Sequence, residues 1–227
     1  MNGVFVTGTG TEVGKTVVAS VIARMAASQG RSVKVFKPAV TGLDELADRQ
    51  GREDSWDDAR LLADHELLRL AAGSNQSDDE VAPYRFGPAV SPHLAASLAD
   101  TEISTEKLEG AVVAAMEGCD TFVAEGVGGF LVPLRDDYLV RDFAVFCNLP
   151  VVVVANPWLG TISDTLLTVE SVREAGLDVV SVVMTPWAER VGELEESNRE
   201  TVGRLGGVAV KELPQLDLGS PDQWPAL

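Results

Sequence analysis

The sequence predicts a single α/β domain, residues 1–227, built on a parallel sheet flanked by helices. Three observations predict it. Short apolar runs alternate with stretches of helical periodicity along the chain, and strands joined through helices lie parallel. The run Pro150 to Ala155 is apolar throughout and rich in valine, as in a strand covered on both faces. The 227 residues suffice to bury a full core and show neither an internal repeat nor a low-complexity linker.

The elements follow in order. Val4-Phe5-Val6 is a buried strand ending in a Gly-Thr-rich turn. Thr16 to Ser28 carries apolar residues at helical spacing, with Val17, Val21, Ile22 and Met25 among them, and Ser32 to Phe36 is a second strand. Pro38 to Ser55 mixes Gly, Asp and Arg and reads as a loop. Trp56 to Ala72 reads as a helix through Leu61, Leu62, Leu67, Leu68 and Leu70, and Ala72 to Ser91 as a polar loop. Helices follow at Pro92 to Ala99 and Thr105 to Glu117, then a strand over Thr121 to Ala124. After the Pro150 to Ala155 strand come a helix at Thr161 to Glu174, a strand at Val179 to Met184, a helix at Glu189 to Leu205 and a last short strand at Val208 to Val210. The tail beyond Pro214 packs on the surface.

Charge narrows the function classes. Asp and Glu total 35 against 18 Lys and Arg, a formal net charge of −17. Such a surface repels phosphate backbones and anionic lipid, which argues against nucleic-acid and membrane partners. The lysines are only Lys15, Lys34, Lys37, Lys107 and Lys211. An acid-rich, lysine-poor surface is similar to those of proteins from salt-loaded cytoplasms and predicts a fold that needs high salt. Cys119 and Cys147 give no disulfide framework, so a reducing cytoplasm is expected. The start, Met1-Asn2-Gly3, does not fit a signal peptide, and no stretch approaches the ~20 apolar residues of a membrane-spanning helix.

Gly8-Thr9-Gly10-Thr11-Glu12-Val13-Gly14-Lys15-Thr16 lies between the first strand and the first helix, the context of a phosphate-binding P-loop. Small residues let backbone amides curl round phosphate oxygens, and the helix terminus adds positive charge. Lys15 reaches the β/γ-phosphates, and the Thr16 hydroxyl takes Mg²⁺. The sheet is therefore expected to be of the P-loop NTPase type. The glycine of the usual spacing would fall at Thr9, so this loop has five residues between Gly8 and Gly14. Position 10, where partitioning-type ATPases carry a signature lysine, is Gly10.

The stretch Thr7 to Thr16 resembles the N-terminal pattern of the dethiobiotin synthetases. Lys37-Pro38-Ala39-Val40-Thr41-Gly42, Asp58-Ala59, Pro83-Tyr84-Arg85-Phe86, Ser91-Pro92-His93, Glu125-Gly126-Val127-Gly128-Gly129, Leu159-Gly160-Thr161-Ile162 and Leu213-Pro214 are similar to later segments of that family, in the same order. The resemblance implies a homodimeric cytoplasmic enzyme. It makes a cyclic urea from 7,8-diaminopelargonic acid and CO₂ with ATP and Mg²⁺, with substrate near the subunit interface.

It also implies roles. Lys37, at the end of the second strand, and Lys15 would be catalytic, stabilising a carbamate and the transferring phosphoryl group. Glu12, Val13, Gly14, Lys15, Thr16 and Val17 would hold the nucleotide, with Asp58, Glu125, Gly126, Val127 and Gly128. Thr185, Pro186, Leu213, Pro214 and Gln215 would lie near the base. The family often has Asn where Thr185 stands, which predicts loose nucleotide preference. Thr16, Asp58 and Glu125 would hold the metal, with Asp57 the rival of Asp58. Thr11, Lys37, Thr41, Gly160, Thr161, Ile162 and Ser163 would bind the substrate, with the amides of Gly160, Thr161 and Ile162 receiving its carboxylate across the dimer and Ser163 standing where the family often has Asn. His93 reads as structural, His65 as a surface helix residue, and the two cysteines as lying beside core strands. Two other classes fit the loop: an amidase-type synthetase, whose glutaminase half is missing here, and a partitioning-type ATPase switch, which the charge opposes.

Overall fold

The computed structural model describes residues 2–50 and 62–227. Its main sheet has six strands: β1 (Asn2–Gly8), β2 (Val33–Phe36), β3 (Thr121–Glu125), β6 (Val151–Ala155), β7 (Val179–Trp187) and β8 (Val210–Pro214). They run in the order β2-β3-β1-β6-β7-β8, and every pairing is parallel. Two short strands, β4 (Pro133–Arg135) and β5 (Tyr138–Leu139), pair antiparallel outside it. The helices are α1 (Lys15–Ser28), α2 (Leu43–Gln50), α3 (Asp64–Ala72), α4 (Asp78–Val81), α5 (Pro92–Leu98), α6 (Thr105–Met116), α7 (Val140–Cys147), α8 (Thr161–Glu174) and α9 (Glu193–Gly206).

Alternation along each strand builds two cores, one per sheet face. Phe5, Phe36, Phe122 and Val153 point into one cluster, which Phe143 of α7 and Val169 of α8 complete. Val6, Val35, Val123 and Val152 point into the other, covered by Val18, Ala19 and Ala23 of α1 and Leu68 of α3. With both faces buried, β3 and β6 have no exposed residue. From β1 the chain first builds β2 and β3 on one side, then crosses to β6, β7 and β8. A crevice opens at the carboxyl ends of the strands where that direction reverses.

Several expectations are corrected. The loop expected over Pro38 to Ser55 contains α2, which buries no side chain and so leaves no apolar signature of burial. Asp44 and Glu45 in its first turn and Arg49 in its last suit the helix dipole. Amides of Leu43 and Asp44 bond the carbonyls of Phe86 and Gly87, tying its start to the next segment. The helix expected from Trp56 begins, within the described residues, at Asp64; residues 56–61 lie outside them. The polar loop after Ala72 contains α4, capped by Ser77. The region between β3 and β6 holds β4, β5 and α7, for which the sequence reading had no element. The last strand is Val210–Pro214 rather than Val208 to Val210, and β7 runs on to Trp187. Cys147, at the end of α7, is in the core with Val151 and Val153 as expected, whereas His65 is buried rather than on the surface. The tail does pack on the surface: Leu216, Trp224 and Leu227 lie on the α1 side of the core, and Arg24 of α1 pairs with Asp222.

Candidate active site

The loop after β1 is held at both ends. The Thr9 amide donates to the Val154 carbonyl at 3.0 Å, and the Val18 amide to the Gly14 carbonyl at 3.0 Å. Gly14, the residue before α1, has φ +90°, and a Cβ there would stand 2.7 Å from Thr185 Cγ2. The loop therefore lies against the end of β7 with no room for a side chain. The first amides of α1 are left facing the crevice.

Five side chains from four segments meet beside it. Lys15 opens α1, and its Nζ donates to the Gly10 carbonyl at 2.6 Å. The Thr16 hydroxyl donates to Glu125 Oε1 at 2.8 Å. Lys37, just past β2, donates to Asp64 Oδ2 at 2.5 Å and to Glu125 Oε1 at 2.6 Å. Glu125 closes β3 and is fully buried; Asp64 opens α3 and keeps 45% of its side chain exposed towards the cavity. Parallel pairing of β1 with β3, and of β3 with β2, fixes the spacing.

Charge is unevenly shared. Burial opposes the Lys37 ammonium, but Asp64 and Glu125 outweigh it and hold its pKa above the ordinary lysine value. Crowding likewise opposes the Asp64 charge, which Lys37 more than offsets, so that carboxyl titrates below its ordinary value. Glu125 is pushed up by burial, which its cationic neighbours only partly offset. Lys15 is pushed down to about 8 by burial and by Lys37.

The arrangement fits a divalent cation on the structure's own evidence. Glu125 Oε2 is buried without a hydrogen-bond partner, an orphan that a cation would satisfy. Thr16 Oγ1, Asp64 and Glu125 would hold it. Among the described residues no group of three His, Cys, Asp or Glu side chains could hold a metal alone. Phosphate oxygens and water would complete the shell, which is the habit of Mg²⁺.

These groups line a cavity of about 720 Å³. Of the residues expected from sequence it brings together Thr11, Glu12, Gly14, Lys15, Thr16, Val17, Lys37, Thr41, Glu125, Val127 and Gly128. The others stand apart. Val13 and Leu213 are buried in the core, and the Gly126 amide bonds the Val6 carbonyl. Thr185 touches the loop at Gly14 but does not line the cavity, nor do Pro186, Pro214 or Gln215. Gly160, Thr161, Ile162 and Ser163 start α8 away from it, with Thr161 buried against Thr165. Asp57 and Asp58 lie outside the described residues. Sequence reasoning missed Asp64, hidden because Asp57-Asp58-Ala59 offered a closer match upstream. It also missed Leu43, Leu46 and Arg49 of α2 and Leu218 of the tail, which line the same cavity.

A family model described as an AAA domain matches residues 2–220. The "ATP-dependent dethiobiotin synthetase BioD" of Bacillus licheniformis is 35% identical over 224 residues, 98% of this chain and 90% of that one. Its namesake from Bacillus subtilis (strain 168) is 34% identical over 210 residues, 92% of this chain and 85% of that one. Among solved structures, the cell-division ATPase MinD of Pyrococcus furiosus superposes with a TM-score of 0.55 at 16% identity, covering 94% of this chain and 84% of that one. The Pyrococcus horikoshii septum site-determining protein MinD, complexed with Mg-ADP, gives 0.57 at 14%, covering 99% and 86%. At such identity these structures show the P-loop NTPase fold alone. The identities to the curated relatives and the breadth of the match show more: the chain belongs to the ATP-dependent dethiobiotin synthetases, a family of ligases.

Proposed function

We propose that this chain joins CO₂ to 7,8-diaminopelargonic acid at the expense of ATP, closing the ureido ring of dethiobiotin. One observation carries the reading: a buried lysine, Lys37, is fixed between Asp64 and Glu125 at the strand edge that faces Lys15 and Thr16. The chemistry must bring two anions together, a carbamate and a triphosphate, and that needs fixed positive charge around both.

The steps balance. One amine adds to CO₂ and loses a proton, giving the carbamate. A carbamate oxygen attacks the γ-phosphorus, and the bond to the β-phosphate oxygen breaks, releasing ADP. The second amine attacks the carbamoyl carbon, loses a proton and expels phosphate. Lys15 leaves Gly10 for phosphate oxygens; Lys37, held protonated by its carboxylates, faces the carbamate oxygens. Backbone amides of the loop and the start of α1 orient the phosphates. Thr16, Asp64 and Glu125 would hold Mg²⁺, which would supply charge neutralisation at the phosphates. We assign a homodimer as the working state, because Trp158 (48% exposed) and Leu159 (86% exposed) stand out beside Gly160 to Ser163.

The test is phosphate release from MgATP and bicarbonate, with and without the diamine, at low and high KCl, with mass detection of product. Diamine-dependent release with dethiobiotin formed supports the reading. Hydrolysis indifferent to the diamine at both salt concentrations overturns it in favour of a nucleotide switch.

A further inference from the structure

We infer that Gln76 is a positioning residue for Lys37: it clamps the outer edge of β2 and so holds that lysine in place for the reaction. The inference rests on the synthetase reading, which makes Lys37 catalytic. β2 stands at the edge of the main sheet and is bonded to β3 on one side. The amide and carbonyl of Val35 face the other side. Val35 is fully buried, so these two groups need partners from the protein.

Gln76 supplies both partners. The Val35 amide donates to Gln76 Oε1 at 2.9 Å, and Gln76 Nε2 donates to the Val35 carbonyl at 3.0 Å. A side-chain amide carries a donor and an acceptor side by side, so this one stands in for a neighbouring strand. It is itself buried, and Ser74 orients it: the Ser74 hydroxyl donates to Oε1 at 3.0 Å and accepts from the Gln76 backbone amide at 3.2 Å. Further along the same edge the partners are backbone groups. The Lys37 amide donates to the Val81 carbonyl at 2.8 Å, and the Val40 amide to the Tyr84 carbonyl at 2.9 Å.

This edge bears on the site because Lys37 follows Val35 closely on the same strand. The pairing of Phe36 with Ala124 sets Lys37 level with Glu125 on β3. On the outer side, α3 starts at Asp64, which meets Lys37, and ends shortly before Gln76. One segment therefore grips β2 twice, through Asp64 at the lysine and through Gln76 at Val35. A lysine carries its ammonium on a flexible stem, so the backbone beneath must be held if the charge is to stay in place. During the reaction, carbamate and phosphate oxygens compete with Asp64 and Glu125 for that ammonium. The clamp at Val35 then keeps the end of β2 from following the moving charges.

The experiment uses the full-length protein and Gln76→Met, which keeps the length of the side chain and removes its donor and acceptor. Circular dichroism reports folding, calorimetry reports ATP affinity, and diamine-dependent dethiobiotin formation is followed at saturating substrates. Because a small misplacement of a catalytic group is costly, kcat is expected to fall roughly 10- to 100-fold, while ATP affinity, set by the loop after β1, stays within about twofold. Asp120→Ala is the control. Asp120 Oδ2 accepts from the Ser32 amide and hydroxyl, each at 2.9 Å, at the far end of β2. Its loss loosens the strand away from Lys37, and kcat should hold. Where Gln76→Met does not fold, Gln76→Asn, whose amide falls a methylene short of Val35, carries the same expectation. An unchanged kcat in the folded variant, an equal fall in Asp120→Ala, or a parallel loss of ATP affinity overturns the inference and leaves Gln76 with a structural role alone. Absence of diamine-dependent turnover in the wild type overturns the synthetase reading instead.

Discussion

Lys37 Nζ lies 2.6 Å from Glu125 Oε1, and both side chains are buried. An ion pair so placed contributes little net stability beside an apolar pair, but removing one partner strands the other. Lys37→Met is therefore expected to destabilise the apo-protein by about 3 kcal/mol at pH 8 in urea denaturation. Glu125 already titrates above its ordinary value of 4.5, and loss of Lys37 raises it further. A raised carboxyl favours the folded state below its ordinary value, and that contribution fades as pH rises through the folded value. The defect should therefore shrink on acidification towards pH 5. Adding Glu125→Gln should recover stability at pH 8 but not activity. A defect independent of pH would remove Glu125 as its cause.

Asp64 and Thr16 make the second prediction. Asp64 accepts from Lys37 at 2.5 Å and its charge is stabilised by Thr16 as well, beside the orphaned Glu125 oxygen. Asp64→Asn keeps the shape and removes the charge. The Mg²⁺ concentration for half-maximal activity should rise at least about tenfold, since a hard cation depends on anionic oxygen. An unchanged Mg²⁺ dependence would take Asp64 out of the metal's shell.

The contrast between these two acids shows what the sequence could carry. Glu125 was legible because it ends an all-apolar strand, and a strand end has one address on a parallel sheet. Lys37 was legible for the same reason. Asp64 was not, because it follows an acid-rich segment and only the approach of α3 to β2 brings it to Lys37. Helix α2 was invisible because it covers a cavity rather than a core, so its residues follow no burial pattern. The P-loop could be read despite its irregular spacing, from Gly14-Lys15-Thr16 placed between a strand and a helix, since its geometry is local. The start of α8 was placed correctly as an element, yet its distance from the cavity depends on the order β1-β6-β7, which no local pattern encodes.

Gly14 and Gly10 differ although both belong to the loop. Gly14 has φ +90° and no space for a Cβ beside Thr185, whereas a Cβ at Gly10 would meet nothing within 4 Å. Gly14→Ala should weaken ATP binding about tenfold or more in calorimetry, because a non-glycine in that conformation costs about 1–2 kcal/mol before the clash is counted. Gly10→Ala should cost less than threefold. Adding Thr185→Ala to Gly14→Ala should restore only the part due to the clash. Equal losses at the two glycines would contradict the geometry.

Net charge makes the fourth prediction. With 35 acids against 18 bases, self-repulsion opposes the compact state, and its range falls from about 10 Å at 0.1 M salt to about 3 Å at 1 M. The melting temperature should rise by at least about 5 °C between 0.1 and 2 M KCl. An equimolar sugar is the control for excluded-solute effects. Coincident melts would show that the acidic surface is tolerated without screening.

Lys15 makes the last prediction, and its sign follows from position. Burial and Lys37 depress its pKa to about 8 in the free protein, where its Nζ rests on the Gly10 carbonyl. Triphosphate oxygens beside the same nitrogen favour the ammonium, so the pKa must rise on nucleotide binding. Binding above pH 8 therefore takes up a proton, and ATP affinity falls as pH rises beyond 8, by up to tenfold per unit until the bound pKa is passed. Calorimetry at pH 8.5 in buffers of different ionisation enthalpy should show this uptake, approaching one proton per site. At pH 6.5, where Lys15 is already protonated, the Lys15 contribution should vanish. Equal uptake at the two pH values would mean that another group carries the linkage and that the lysine on Gly10 is not the one that meets the phosphates.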